Sequence, residues 1–188
     1  MSGRVLIIAS AIPLIASAAT DPAAANVNRK LDIIQSGKAR PGAVFVFTSA
    51  ELNAWARVKA PMVVPEGLRE PRLVLGNGSA TGYALVDFLK LQHGAGIETN
   101  WLVSKLIQGE KRVTATATIQ AVNGRATVHL VRVEIGGLAV SGATLDFLID
   151  TFFRPLYPDA KIDEPFDLSD RVDRIDVTPA EARVYIKK

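Results

Sequence analysis

The stretch Lys111–Ile135, KRVTATATIQAVNGRATVHLVRVEI, constrains the fold more than any other part of the chain. Val113, Ala115, Ala117, Ile119 and Ala121 alternate with Arg112, Thr114, Thr116, Thr118 and Gln120. A period of two gives a strand with one apolar and one polar face, and its β-branched residues suit a half-buried pleated surface. Asn123-Gly124 predicts a type I′ turn, which needs positive φ at both central residues. The return strand changes phase: Val128 and Leu130 belong to one face, Val131, Val133 and Ile135 to the other. A bulge near Leu130 or Val131 reconciles the phases and bends the strand; the alternative is a strand covered on both faces. The apolar face of the first strand is small-sided at Ala115, Ala117 and Ala121. It admits either a helix packed closely on the sheet or a groove for an apolar ligand.

Ahead of this hairpin, residues 1–19 have the form of a signal peptide. Arg4 supplies the charged start, Val5–Ile15 an apolar run interrupted by Pro13, and Ala16-Ser17-Ala18 a small-x-small cleavage site. The run falls short of the ~20 apolar residues that span a bilayer, so the expectation is export to the periplasm or the medium, with an uncleaved anchor as the alternative. Residues 20–42 form an N-terminal helical segment: Asp21-Pro22 starts a helix, Gly37 stops it, and Val27, Leu31 and Ile34 share a stripe. Residues 43–188 are expected to be one domain, a length that suits a single core.

Within that domain Ala43–Phe47 reads as a strand. Glu51 stands where it can reach back to the Thr48 amide as a capping box. A helix follows over Ala50–Val58 with Leu52, Trp55 and Ala56 on one side, and Pro61 and Pro65 predict extended chain after it. Arg69–Gly76 and Ser79–Asp87 pair around Asn77-Gly78, read as another I′ turn, with Ala80, Gly82, Ala84 and Val86 in one phase. Glu98–Gln108 has helical spacing at Trp101, Leu102 and Leu106, and Gly109 ends it. Beyond the central hairpin, Gly136-Gly137 turns the chain into Leu138–Ser141. A helix over Ala143–Phe153 then carries Leu145, Leu148, Ile149, Phe152 and Phe153 on one stripe, with Asp146 and Asp150 opposite. Lys161–Asp170 is an acidic, irregular connection, and Arg171–Val177 with Arg183–Lys187 forms a closing hairpin. Strands that arrive as hairpins favour an antiparallel sheet with helices on one face, hence α+β.

The chemistry-bearing residues are sparse. The net charge of +3, with no basic run interleaved with aromatics, does not suit nucleic acid. The lack of cysteine excludes disulfides, thiolate metal sites, a cysteine nucleophile and a lipid-modified N-terminal cysteine. His93 in a glycine-bearing loop and His129 on the hairpin have the residue type of a general base. Neither stands near a nucleophile motif or at metal-ligand spacing. Asp159, Asp163, Glu164, Asp167, Asp170, Asp173 and Asp176 form an acidic series, but without the Asp-x-Asp-x-Asp-Gly order of a calcium loop. It reads as a solvated edge. The glycines form no phosphate or dinucleotide loop. No cofactor and no metal are implied.

The order of signals resembles that of small exported bacterial proteins of the LmeA-like group, which are similar to the tubular lipid-binding (TULIP) superfamily. The signals are a strand, Thr-Ser-x-Glu-Leu-Asn at 48–53, paired strands, a short helix, a long hairpin, Gly136-Gly137, an aliphatic helix, Tyr157-Pro158 and a closing hairpin, spanning 43–187. The resemblance implies a curved, mostly antiparallel sheet wrapped on helices as a half-barrel, with an apolar groove for acyl chains. The helical stripes and the small-sided strand then make Leu102, Leu106, Ala117, Leu145, Ile149 and Phe152 the candidate groove-lining residues. The expected function is a non-catalytic, exported binding protein for a lipid or other apolar small molecule in the cell envelope, with transient membrane contact. Two alternatives stand beside it: a structural or interaction module with no ligand cavity, and a hydrolase using His93 or the acidic 159–176 segment.

Overall fold

The computed structural model describes residues 21–63, 67–88, 90, 108–154, 161–169 and 171–188. The elements run α1 (Pro22–Gln35), β1 (Val44–Thr48), α2 (Ser49–Val63), β2 (Leu68–Gly76), β3 (Ser79–Asp87), β4 (Glu110–Val122), β5 (Arg125–Ile135) and β6 (Leu138–Val140). There follow α3 (Gly142–Leu148), a π turn (Ile149–Phe153), β7 (Phe166–Asp167), β8 (Val172–Val177) and β9 (Glu181–Ile186). The fold is α+β with antiparallel pairing throughout. Among the described residues the strands divide over two sheets, one ordered β2-β3-β4-β5-β6 with β7 also on β5, the other β1-β9-β8, and neither closes into a barrel.

The β4–β5 hairpin is the spine of the larger sheet. Asn123 and Gly124 have φ of 55° and 75°, the I′ geometry that Asn-Gly favours. Thr116 pairs with Arg132 and Ala117 with Leu130, so Val131 is the extra residue of a bulge and stands 61% exposed. The bulge resolves the phase change in the sequence: Val128, Leu130, Val133 and Ile135 all reach the inner face. It also divides the outer edge of β5. Beyond Arg132, β6 pairs with Val133–Ile135. On the other side of the bulge, β7 pairs with Arg125 and Ala126. Asp163 docks there too, its N–H donating to the Val128 carbonyl at 2.9 Å and its Oδ1 accepting from the Leu130 N–H at 3.3 Å. His129 Nδ1 lies 3.0 Å from the same carboxylate. The acidic connection is thus partly an edge cover and contains a short strand, because its backbone groups find partners on β5.

Three expectations are corrected. At Asn77-Gly78 only Gly78 has positive φ, 59°, so the turn is not I′. Its backbone is tied outward instead: the Gly78 N–H donates to the Val177 carbonyl at 2.9 Å, and the Gly78 carbonyl accepts from Ile119 N–H at 2.8 Å. The helix expected to stop at Val58 runs to Val63 with Pro61 in its last turn. Proline's fixed φ is compatible with helix there and removes only one hydrogen bond. The helix expected over Ala143–Phe153 is α-helical to Leu148 and then widens, with the Arg154 N–H donating to the Ile149 carbonyl five residues back at 2.8 Å.

Among the described residues two apolar cores result. Val86, Phe88, Val133, Ile135, Val140 and Leu148 form one between the larger sheet and α3. Val27, Ile34, Ala39, Phe47, Val172 and Ile186 form the other, where α1 lies on the smaller sheet. Leu52 and Trp55 of α2 pack against this second core. The Asp21 carboxylate caps α1 by accepting from the Ala23 N–H at 2.9 Å.

Candidate functional site

Among the described residues, two apolar cavities open on the inner face of the larger sheet. One, about 420 Å³, lies between α2 and the β2–β3–β4 half; Leu52, Trp55, Ala56 and Ala60 form its helical wall. The other, about 300 Å³, lies between the β4–β5 half and the α3–π segment; Leu145, Leu148, Ile149 and Phe153 form its wall, and Ile162 also lines it. Val113 and Ala115 of β4 line both. Both volumes fall within the range of about 300–1,000 Å³ typical of small-molecule sites.

Strand register sets the shape of the floor. Gly82, Ala115 and Val133 lie side by side across β3, β4 and β5, and Ala84, Val113 and Ile135 form the next row. Side chains therefore lengthen from β3 toward β5, and the larger cavity sits over the short side chains. The walls follow from helical spacing: Leu52, Trp55, Ala56 and Ala60 recur on one face of α2. In the other wall, the π turn brings Ile149 and Phe153 to the same cavity.

The motif at 48–53 fixes the α2 wall. Glu51 Oε2 accepts from the Thr48 N–H at 2.9 Å while the Glu51 N–H donates to Thr48 Oγ1 at 3.2 Å, a closed capping box. Glu51 Oε1 also accepts from Asn26 and, at 2.8 Å, from Lys30, joining α1 to α2. Burial pushes the Glu51 carboxyl up, but the hydrogen bonds from Lys30, the Thr48 amide and Asn26, together with the Lys30 charge, outweigh it and bring the pKa from 4.5 to about 2. Trp55 Nε1 donates to Asn28 Oδ1 at 2.9 Å, which orients the indole at the cavity wall.

Among the residues expected to line a groove, Leu145 and Ile149 line the smaller cavity. Ala117 lies on the same face of β4 as Ala115, half-buried, and borders neither cavity. Leu102, Leu106 and His93 lie outside the described residues, as do the 1–19 segment and Tyr157-Pro158; Phe152 is described only through its backbone. Of the floor residues, Ala115 belongs to the small-sided face that the sequence links to a groove, whereas Val113, Gly82 and Ala84 are not linked to one. Their signal was present as small side chains in one phase of two strands that turn out to be neighbours.

The lining offers little chemistry beyond exclusion of water. Among the described residues, Arg72 and Tyr83 are the polar members of the larger cavity, with the guanidinium 5.9 Å from the ring centroid. His129 and Asp163 sit on the exposed edge of β5. Among the described residues no group of three His, Asp or Glu side chains could hold a metal ion, and no helix is long and apolar enough to cross a membrane. No family model, curated protein or solved structure matches the chain.

Proposed function

We propose that this chain is a non-catalytic binding protein for a lipid or other apolar small molecule, exported to the periplasm or beyond and working in the bacterial cell envelope. The observation that carries the reading is the pair of adjoining cavities floored by Val113 and Ala115. Their walls are almost wholly aliphatic or aromatic, so affinity would come from removing apolar surface from water, about 0.8 kcal/mol per buried methylene. Neither cavity is fully enclosed, which suits a ligand that enters and leaves during brief contact with a membrane. The LmeA-like and TULIP-like resemblance implies the same class of ligand.

The test is organic extraction of the purified mature protein, followed by mass spectrometry of the extract. A stoichiometric lipid that disappears in an Ile149→Glu variant supports the reading. An extract with no lipid, from protein that also fails to acquire one on incubation with envelope lipids, refutes it.

A further inference from the structure

Gly82 stands in the interior of β3, paired with Leu73 on one side and Ala115 on the other. Interior glycine weakens a strand, and it is usually explained by a positive φ, a bulge or a close approach of other atoms. None of these is found among the described residues. Gly82 has no positive φ. The register shift in β2 falls between Arg69 and Arg72, and β3–β4 pairing passes through Gly82 without one. Among the described residues, a Cβ added to Gly82 would meet nothing nearer than the Ala115 carbonyl oxygen at 4.0 Å. The backbone conformation is one that L residues adopt, and Gly82 lines the larger cavity.

We propose that Gly82 and Ala115 determine the specificity of the groove: they keep clear the passage between the two cavities, so that one unbranched aliphatic chain lies across β3 and β4 and occupies both. This rests on the lipid-binding reading and names its ligand class. Val113 and Ala115 are the lining residues that the two cavities have in common. A compact ring system would fill one cavity and leave the other wet, whereas a flexible chain can pass over Ala115 and use both. The scarcity of polar groups in either wall suits the chain itself, with any headgroup left at a mouth. A side chain at Gly82 would rise from the floor of the larger cavity, and one longer than methyl at Ala115 would stand in the passage.

The experiment is displacement of bound cis-parinarate from delipidated protein by decanoate, myristate and stearate, with thermal unfolding of the ligand-free forms alongside. Wild-type protein is expected to prefer stearate to decanoate. Gly82→Leu and Ala115→Leu should weaken stearate by about tenfold, the loss of roughly two buried methylenes, and change decanoate by less than about twofold. Gly82→Ala should weaken stearate less while raising the melting temperature of the ligand-free protein, because it restricts the unfolded chain. Two results overturn the inference: variants with the chain-length preference of wild type, or a ligand-free Gly82→Ala protein that melts lower than wild type, since the space would then be filled by the protein itself. A wild-type protein that takes up no parinarate and no lipid overturns the lipid-binding reading, and this inference with it.

Discussion

The side chain of Asn53 in α2 occupies both backbone groups of Leu73 in β2. Its Nδ2 donates to the Leu73 carbonyl at 2.8 Å, and its Oδ1 accepts from the Leu73 N–H at 2.8 Å. β2 is the edge of the larger sheet, and an edge strand exposes such groups to unwanted pairing. One amide thus substitutes for a neighbouring strand and fixes α2 over the groove. Replacing Asn53 with Ala should cost about 1–3 kcal/mol, through the two unpaired backbone groups. Chemical denaturation measures the loss, and hydrogen exchange should quicken at the Leu73 amide more than at Thr81.

Glu51 gives the fold an acid-sensitive joint. Its folded pKa, about 2, lies below the ordinary 4.5. A depressed carboxyl contributes stability that is fully present above the unfolded value and is lost as pH falls through the folded one. The wild-type melting temperature should therefore drop between pH 4.5 and about 2 more steeply than that of Glu51→Gln. Parallel pH profiles for the two proteins would show that the α1–α2 joint contributes nothing.

The bulge at Val131 allows a backbone test. Deleting Val131 would leave Leu130 and Val133 still on the inner face while straightening β5, so the protein should fold. It should lose about 1–3 kcal/mol, in the range of a disruptive single change, and the Asp163 bond to the Leu130 amide should go with it. Loss of that bond would appear as faster exchange at Leu130, and an unaltered rate would mean that Asp163 does not depend on the bulge.

Leu148 separates packing from ligand contact. It is buried in the core under α3 and also borders the smaller cavity. Leu148→Ala should cost about 2–5 kcal/mol as a large-to-small core change. Ile149→Glu, at a half-buried position one residue on, should cost less stability and more ligand. Urea denaturation and a lipid-uptake assay on the same two proteins resolve the difference; equal losses in both assays would contradict it.

Much of the fold was legible where a local rule carried it. The period of two in β4, the Asn123-Gly124 turn and the phase slip at Val131 are backbone statements written in side chains. The capping box at Thr48 and Glu51 is likewise a short-range signal. Asn77-Gly78 misled because its turn answers to partners on β4 and β8, distant in sequence. The same limit hid the groove floor. Gly82 and Ala115 read separately as small residues in two strands, and only the register between β3 and β4 makes them neighbours. Nothing local announces the division into two sheets, since β1 and β9 pair although most of the chain lies between them.

The central claim is that an apolar chain lies on the floor of the groove, and the Ala115 methyl reports on that floor most directly. Methyl-labelled, delipidated protein titrated with oleate should shift the Ala115 and Ala84 resonances in a saturable, one-to-one manner, with nuclear Overhauser contacts from Ala115 to the chain. The Ala139 and Ala180 methyls, exposed and away from the cavities, should stay still. Ala115 unmoved at saturating oleate, or shifts spread evenly over all alanines, would contradict the account.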